Sequence, residues 1–183
     1  MKINSTATVS LNSSFIQSEN GNIEIDVTNA INQIWGAYFK TTGSGDIVVT
    51  TSSGNISLGG NNEGGAWADG TGAITVTSGG NITVGNELRS TAGATLNATS
   101  GIVTLTNDGG DQTNLSALVI NADTFVTSGT LTSVTLANSG ALTINIASDS
   151  STAAVIAGAG VTLTKAGSGT LTLSGANTYT GTT

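Results

Sequence analysis

The sequence predicts an all-β protein wound as a right-handed parallel β-helix, a β-solenoid of irregular coils. Three observations carry that prediction. A five-residue template, Gly-x-apolar-x-apolar, recurs along the chain, and no proline interrupts it anywhere. Glycine supplies 26 of the 183 residues and charged side chains only 8%, with Thr, Ser and Asn at most other polar positions. Residues that favour helix, such as Lys, Arg and Gln, are correspondingly scarce. The apolar share of 37% is enough for a core, so the low charge does not signal disorder. A strand of five residues and a turn cannot bury its own apolar face, so such units must stack on their equivalents in neighbouring coils. Parallel strands joined by a crossover wind right-handed in nearly all cases.

Taken in order, residues 1–18 are rich in Ser and Asn, and Ala7-Thr-Val9-Ser-Leu11 alternates as one strand before a loose connection. Glu19-Asn-Gly21 reads as a turn. In the strand that follows, Ile23, Ile25 and Val27 form one buried face opposite Asn22, Glu24 and Asp26. Residues 29–40 break the pattern: Ile31, Ile34, Trp35 and Tyr38 fall at helical spacing, and Phe39 adds a further aromatic. One reading makes Trp35, Tyr38 and Phe39 an aromatic binding patch. The favoured one makes them a plug over the end of the stack or a large-residue layer within it, because an open end invites aggregation. Residues 1–42 are accordingly expected to be N-terminal strands with an aromatic capping segment, and residues 43–183 the coils.

The template then repeats as Gly45-Asp-Ile47-Val-Val49, Gly54-Asn-Ile56-Ser-Leu58, Gly72-Ala-Ile74-Thr-Val76 and Gly80-Asn-Ile82-Thr-Val84. Further copies are Gly101-Ile-Val103-Thr-Leu105, Gly140-Ala-Leu142-Thr-Ile144 and Gly169-Thr-Leu171-Thr-Leu173, with looser ones at Gly93, Gly129 and Gly160. Most come in close pairs, and the distance between pairs is the coil period. Inward Ile, Val and Leu should form aliphatic ladders, outward Thr the exposed pleat, and Gly the positive-φ corners. With a rise of ~4.8 Å per coil, roughly six or seven turns make a rod about 30 Å long. A sandwich or an antiparallel barrel is the competing all-β fold, with Ser53-Gly54 and Ser139-Gly140 as its tight turns.

The intervals between copies are where a binding site would project. Gly59 to Gly72 holds Glu63, Trp67 and Asp69 and reads as a protruding loop; 107–114 holds Asp108-Gly-Gly-Asp111, and 147–154 holds Asp149 among serines.

Residues Gly167 to Thr183 hold the pattern in its most complete form. The spaced glycines Gly167 and Gly169, the Leu171-x-Leu173 pair, Gly175-x-Asn177-x-Tyr179 and the ending Thr180-Gly181-Thr182 resemble the autotransporter-associated β-strand repeat. That repeat is found in passenger regions of type V secreted surface proteins of Gram-negative bacteria. Many members carry a second glycine after the position of Gly181 and continue into another strand, whereas this chain stops at Thr183. The resemblance covers about a tenth of the chain. It implies a passenger β-helix, an extracellular or cell-surface location, and a secretion signal and membrane-spanning barrel outside this chain. On that reading the chain is a fragment.

Function is narrowed mainly by exclusion. The net charge of −7 arises from single, scattered carboxylates opposed only by Lys2, Lys40, Arg89 and Lys165. No basic patch for nucleic acid or an anionic membrane can form. There is no His or Cys, which removes serine-triad, thiol and His-based metal chemistry together with disulfides. Glu63 with Asp69, or Asp108 with Asp111, could in principle converge as the carboxylate pair of a glycosidase or lyase, but Asp in Gly-rich turns usually caps its own backbone. Asp108-Gly109-Gly110-Asp111 has a single copy, whereas calcium rolls need tandem nonapeptides. The Asn-x-Ser/Thr triplets at Asn4, Asn12, Asn55, Asn81, Asn97 and Asn114 follow from composition alone. Met1-Lys-Ile-Asn-Ser-Thr does not read as a secretory signal, and no transmembrane helix is expected from the residues given.

The resulting expectation is a non-enzymatic adhesin or structural scaffold without a cofactor. Its partners would be a host-cell or matrix surface, a glycan, or its own copies through open strand edges. The alternative is an ice-binding solenoid built on Thr-x-Thr rows at 75/77, 104/106, 130/132, 162/164, 170/172 and 178/180.

Overall fold

A computed structural model describes residues 1–34, 37–59, 64–106, 111–112, 115–129 and 131–183, and only the backbone of residues 33, 34, 111 and 112. Trp35, Glu63, the run 108–110, Asn114, Thr130 and the side chain of Asp111 therefore lie outside the described residues. Among those described there is no helix.

The chain is a parallel β-solenoid of about seven turns in which each circuit visits three faces. On the first face, Lys2–Ser5, Ile23–Val27, Ile47–Thr51, Ile74–Ser78, Ala94–Ala98, Ala117–Ala122, Ala141–Ile146 and Thr162–Ala166 pair in that order. The second face begins with a six-stranded sheet, from Val9–Asn12 to Thr124–Ser128. It is extended by Ser150–Thr152 and Leu171–Leu173, since the Phe125 N–H donates to Ser150 Oγ at 3.0 Å. The third face runs from Phe15–Ser18 through Tyr38–Thr41 and Gly65–Ala68 to Leu88–Ser90. A bridge from Ser90 to Leu115 leads on to Ser133–Leu136 and Val155–Ala157.

Register gives the coil lengths. Ile3 pairs with Ile25, Val49 with Val76, and Val76 with Leu96, so circuits of 22, 27 and 20 residues stack on one another. Despite the unequal lengths, the apolar columns stay aligned. One column on the first face is Ile23, Ile47, Ile74, Ala94, Leu118, Leu142 and Leu163, all buried. On the second, Ile31, Ile56, Ile82, Val103 and Phe125 do the same. The intervening residues, such as Thr75, Thr83 and Thr143, point outward and are half-buried by their neighbours. Aliphatic burial on three converging faces supplies the favourable free energy, at about 25 cal/mol per Å².

Several expectations change in detail. Residues 1–18 contain three strands, Lys2–Ser5, Val9–Asn12 and Phe15–Ser18, instead of one strand and a loose connection. The helical spacing within 29–40 is not realised: Ile31–Ile34 and Tyr38–Thr41 are strands. Phe39 is fully buried between Ile16 and Ala66 of adjacent coils, so a large ring is accommodated by a small partner.

Template glycines serve a purpose other than the expected one. The irregular copies Gly93, Gly129 and Gly160 do adopt positive φ, but Gly45, Gly54, Gly72, Gly80, Gly101, Gly140 and Gly169 do not. Their need is space. A Cβ on Gly72 would penetrate the carbonyl oxygen of Gly45 in the coil below, and one on Gly54 the carbonyl of Asn29.

The polar residue after the glycine has a matching role. Asp46 Oδ1 accepts the Ala73 N–H at 2.9 Å, Asn55 Oδ1 the Asn81 N–H at 2.8 Å, and Asn81 Oδ1 the Ile102 N–H at 2.9 Å. Corner amides with no strand partner are thus satisfied by the side chain of the preceding coil.

Asp149 does the same for Thr170, at 2.7 Å. The hydrogen bonds from the Thr170 backbone, then from its side chain, and the charge of Lys165 lower the Asp149 pKa from its ordinary 3.8. Since the folded-state value is the lower one, this contribution to stability is present above pH 3.8 and is lost as pH falls through the lowered value. The protection factor of the Thr170 amide should fall selectively once the pH is taken below the lowered value, and Asp149→Asn should abolish that selectivity. Protection that stays level with the neighbouring strand amides down to the lowest pH at which the chain remains folded would show that the carboxylate is not what holds it.

Candidate binding face

Outward positions of the third face gather most of the surface aromatics among the described residues. Register stacks Phe15 on Tyr38 in one column, and Gln17, Lys40, Trp67 and Arg89 in the next. The Phe15 and Tyr38 rings meet edge to face with centroids 6.2 Å apart, and Tyr38 and Trp67 lie tilted at 4.4 Å. Arg89 covers the Trp67 ring with its guanidinium carbon 5.0 Å from the centroid, and Lys40 Nζ lies 5.8 Å from it on the neighbouring coil. Asp69, just after the tryptophan strand, pairs with both cations: Lys40 Nζ at 3.0 Å and Arg89 Nε at 3.6 Å. Trp67 Nε1 is buried and has no hydrogen-bond partner among the described residues.

The cluster follows from strand chemistry. Alternation sends Ala66 and Ala68 inward and Trp67 outward, and the parallel register then places a long cation on each side of it. Cation–π contacts at half-exposed sites are worth ~0.5–1 kcal/mol each, and the partly exposed ion pairs less. Phe15, 57% exposed, leaves one aromatic face open to solvent. This is a surface that can bind, since Trp, Tyr and Arg carry most contact energy where proteins meet.

Sequence expectations meet here in part. Tyr38 from the anticipated aromatic patch and Trp67 and Asp69 from the anticipated loop come together, whereas Phe39 faces the core. The loop reading of 59–72 is corrected: Gly65–Ala68 is a strand of the third face, because inward Ala66 fits between Phe39 and Leu88, and Ala68 between Thr41 and Ser90. Likewise 147–154 contains the strand Ser150–Thr152. Phe15, Lys40 and Arg89 were not anticipated as members of a cluster. The signal was their spacing of one coil from Tyr38 or Trp67, legible only once coil lengths are known.

The Thr-x-Thr rows do not form a lattice. Thr75 and Thr77 are flanked by Val48 and Thr50 on one side and by Thr95 and Asn97 on the other. Thr104 lies on the second face, paired to Val126, while Thr162 pairs with Ala141. Coils of unequal length place the described pairs on different faces, so nothing here supports the ice-binding alternative.

The last coil shows what the C-terminal motif encodes. Asn177 Oδ1 accepts the Ile156 N–H at 2.8 Å, Gly181 N–H donates to the Val161 carbonyl at 3.0 Å, and Tyr179 packs on the core. Gly175 and Gly181 approach the carbonyls of Ala153 and Val161 too closely for any Cβ. These residues dock one coil on another. Residues 163–183 match the family model of the passenger-associated-transport-repeat. No curated protein and no solved structure matches the chain. A passenger repeat closing a parallel β-solenoid fits an autotransporter passenger scaffold, which suggests a secreted or surface protein.

Proposed function

We propose that this chain is a non-enzymatic segment of a surface-displayed passenger that extends from the cell and adheres through its third face. The observation that carries the reading is the passenger repeat at 163–183, seated in register on a continuous stack. The coils hold a rigid outer surface, and the Phe15–Tyr38–Trp67 cluster with Lys40 and Arg89 is its most contact-competent part. The partner is a host-cell or matrix surface, or further copies of the chain.

Purified protein coated on beads tests this against epithelial cells and immobilised matrix proteins. Trp67→Ala with Arg89→Ala should weaken adhesion by roughly 30-fold, as loss of about 2 kcal/mol at a central aromatic anchor would. Thr143→Ala on the first face should leave it unchanged. Equal adhesion by both proteins, with unchanged circular dichroism, would remove the third face from the mechanism.

A further inference from the structure

Where the first face turns into the second, a groove of about 880 Å³ runs across five successive coils. Residues 97–100, 121–123, 145–147 and 167–168 line it, with Thr77 at one end. One wall is a ladder of amides. Asn97 Nδ2 donates to Thr77 Oγ1 at 3.3 Å, Asn121 Nδ2 to Asn97 Oδ1 at 2.8 Å, and Asn145 Nδ2 to Asn121 Oδ1 at 3.1 Å. The opposite wall comes from the turns, where Ser148 Oγ donates to Asp123 Oδ1 at 2.6 Å and Ser168 Oγ to the Ala147 carbonyl at 3.0 Å.

An amide side chain has two N–H donors and two acceptor lone pairs. The ladder uses one donor of each asparagine and one lone pair of Asn97 and Asn121. Each coil therefore retains at least one donor and one acceptor side by side, repeated at the coil rise of ~4.8 Å. A hydroxyl group is both donor and acceptor, and a pyranose in a linear chain advances by a similar distance. Among the described residues that line the groove the one charge is Asp123, and the nearby Lys165 ammonium is engaged by the Ala166 and Gly167 carbonyls, so in a chain of net charge −7 an anionic polymer is disfavoured. The volume lies in the range of ligand sites.

We propose that this groove binds a neutral linear glycan laid along the solenoid axis, with the Asn97–Asn121–Asn145 ladder reading its hydroxyls. The site is separate from the third face and does not depend on the adhesive role assigned to it.

Neutral β-linked gluco- and manno-oligosaccharides, from disaccharide to hexasaccharide, are the probes, titrated by calorimetry and by the side-chain amide signals of the three asparagines. Affinity should rise with length until the five coils are spanned. Asn121→Val, a good strand former that removes the middle amide, should weaken binding by about tenfold with the melting temperature little changed. Thr83→Val on the second face should do nothing to binding. The proposal is overturned if none of these glycans shifts the amide signals at millimolar concentration, or if Asn121→Val binds as the wild type does. Tighter binding of an oligogalacturonate or an extended peptide would equally overturn it.

Discussion

Leu142→Asp is expected to cost several kcal/mol, enough to abolish a single cooperative unfolding transition, whereas Thr143→Asp one residue away should shift stability by no more than about 0.5 kcal/mol. Leu142 is 1% exposed and sits in the column between Leu118 and Leu163. A carboxylate there has no cation or donor to meet it and must either remain desolvated or open the coil. Thr143 points outward between Val119 and Thr164, where a carboxylate stays hydrated. Because each coil is stabilised chiefly by its neighbours, the damage should propagate to the adjacent coils. Leu171→Asp should be milder than the template alone suggests, since Leu171 lies on the last coil and is only half-buried. Urea denaturation followed by circular dichroism distinguishes the three. Equal midpoints for Leu142→Asp and Thr143→Asp would mean that the faces are assigned the wrong way round.

How much of this architecture the sequence discloses depends on the length scale. Alternation such as Ile74-Thr-Val76 names the inward face directly, because a period of two has only two solutions, and the burial of Ile74, Ile82, Val103 and Leu142 follows it. Coil length is hidden. The second and third faces have strands as short as Ile56–Leu58 and Leu88–Ser90, and circuits differ in length without changing local composition. For the same reason 59–72 resembles a loop: its inward residues at 66 and 68 are alanines, which carry little hydropathy signal, although Ala66 fits the space left by Phe39. In residues 29–40, Phe39 sits inside the stack, as a large-residue layer would have it, while Tyr38 faces outward from the same strand, where a helical spacing does not place it.

The binding features are legible only after the coils are aligned. Asn97 reads as part of a chance triplet, and nothing adjacent marks it. Its partners Asn121 and Asn145 recur at intervals of 24 residues, each following an inward Leu or Ile, so two equal circuits superimpose them. Trp67 and its flanking cations have no such equal spacing: Lys40 precedes it by 27 residues and Arg89 follows by 22. Side chains of different types meet there because unequal coils bring different sequence positions into one column. Function in such a stack is therefore written in register, which local pattern does not reveal.

Glycine columns provide the sharpest test of that register, since Gly72→Ala is expected to destabilise the stack by about 3 kcal/mol while Gly21→Ala is nearly neutral. Both glycines lie in one corner column with Gly45 between them, and neither has positive φ, so conformational preference does not separate them. What differs is the coil beneath. The Cβ of an alanine at 72 would meet the backbone carbonyl of Gly45, with the Asp46 nitrogen 3.2 Å away, and neither can rotate aside. Gly72 is also fixed from above, because its carbonyl accepts the Ser90 hydroxyl at 2.7 Å. Relief would require the coils to separate, breaking the Ala73 N–H bond to Asp46 Oδ1 and opening the ladder from Ile47 to Ile74. At Gly21 the added carbon meets only the Ser18 hydroxyl at 3.3 Å, the end of a half-buried side chain that accepts the Gly21 N–H and needs to give by only a few tenths of an ångström. Losing a glycine from the unfolded chain even favours folding slightly there. Thermal melts of the two variants decide the matter. A Gly72→Ala protein that melts with the Gly21→Ala protein would show that coil spacing at this corner is slack, and that the template glycine is kept for another reason.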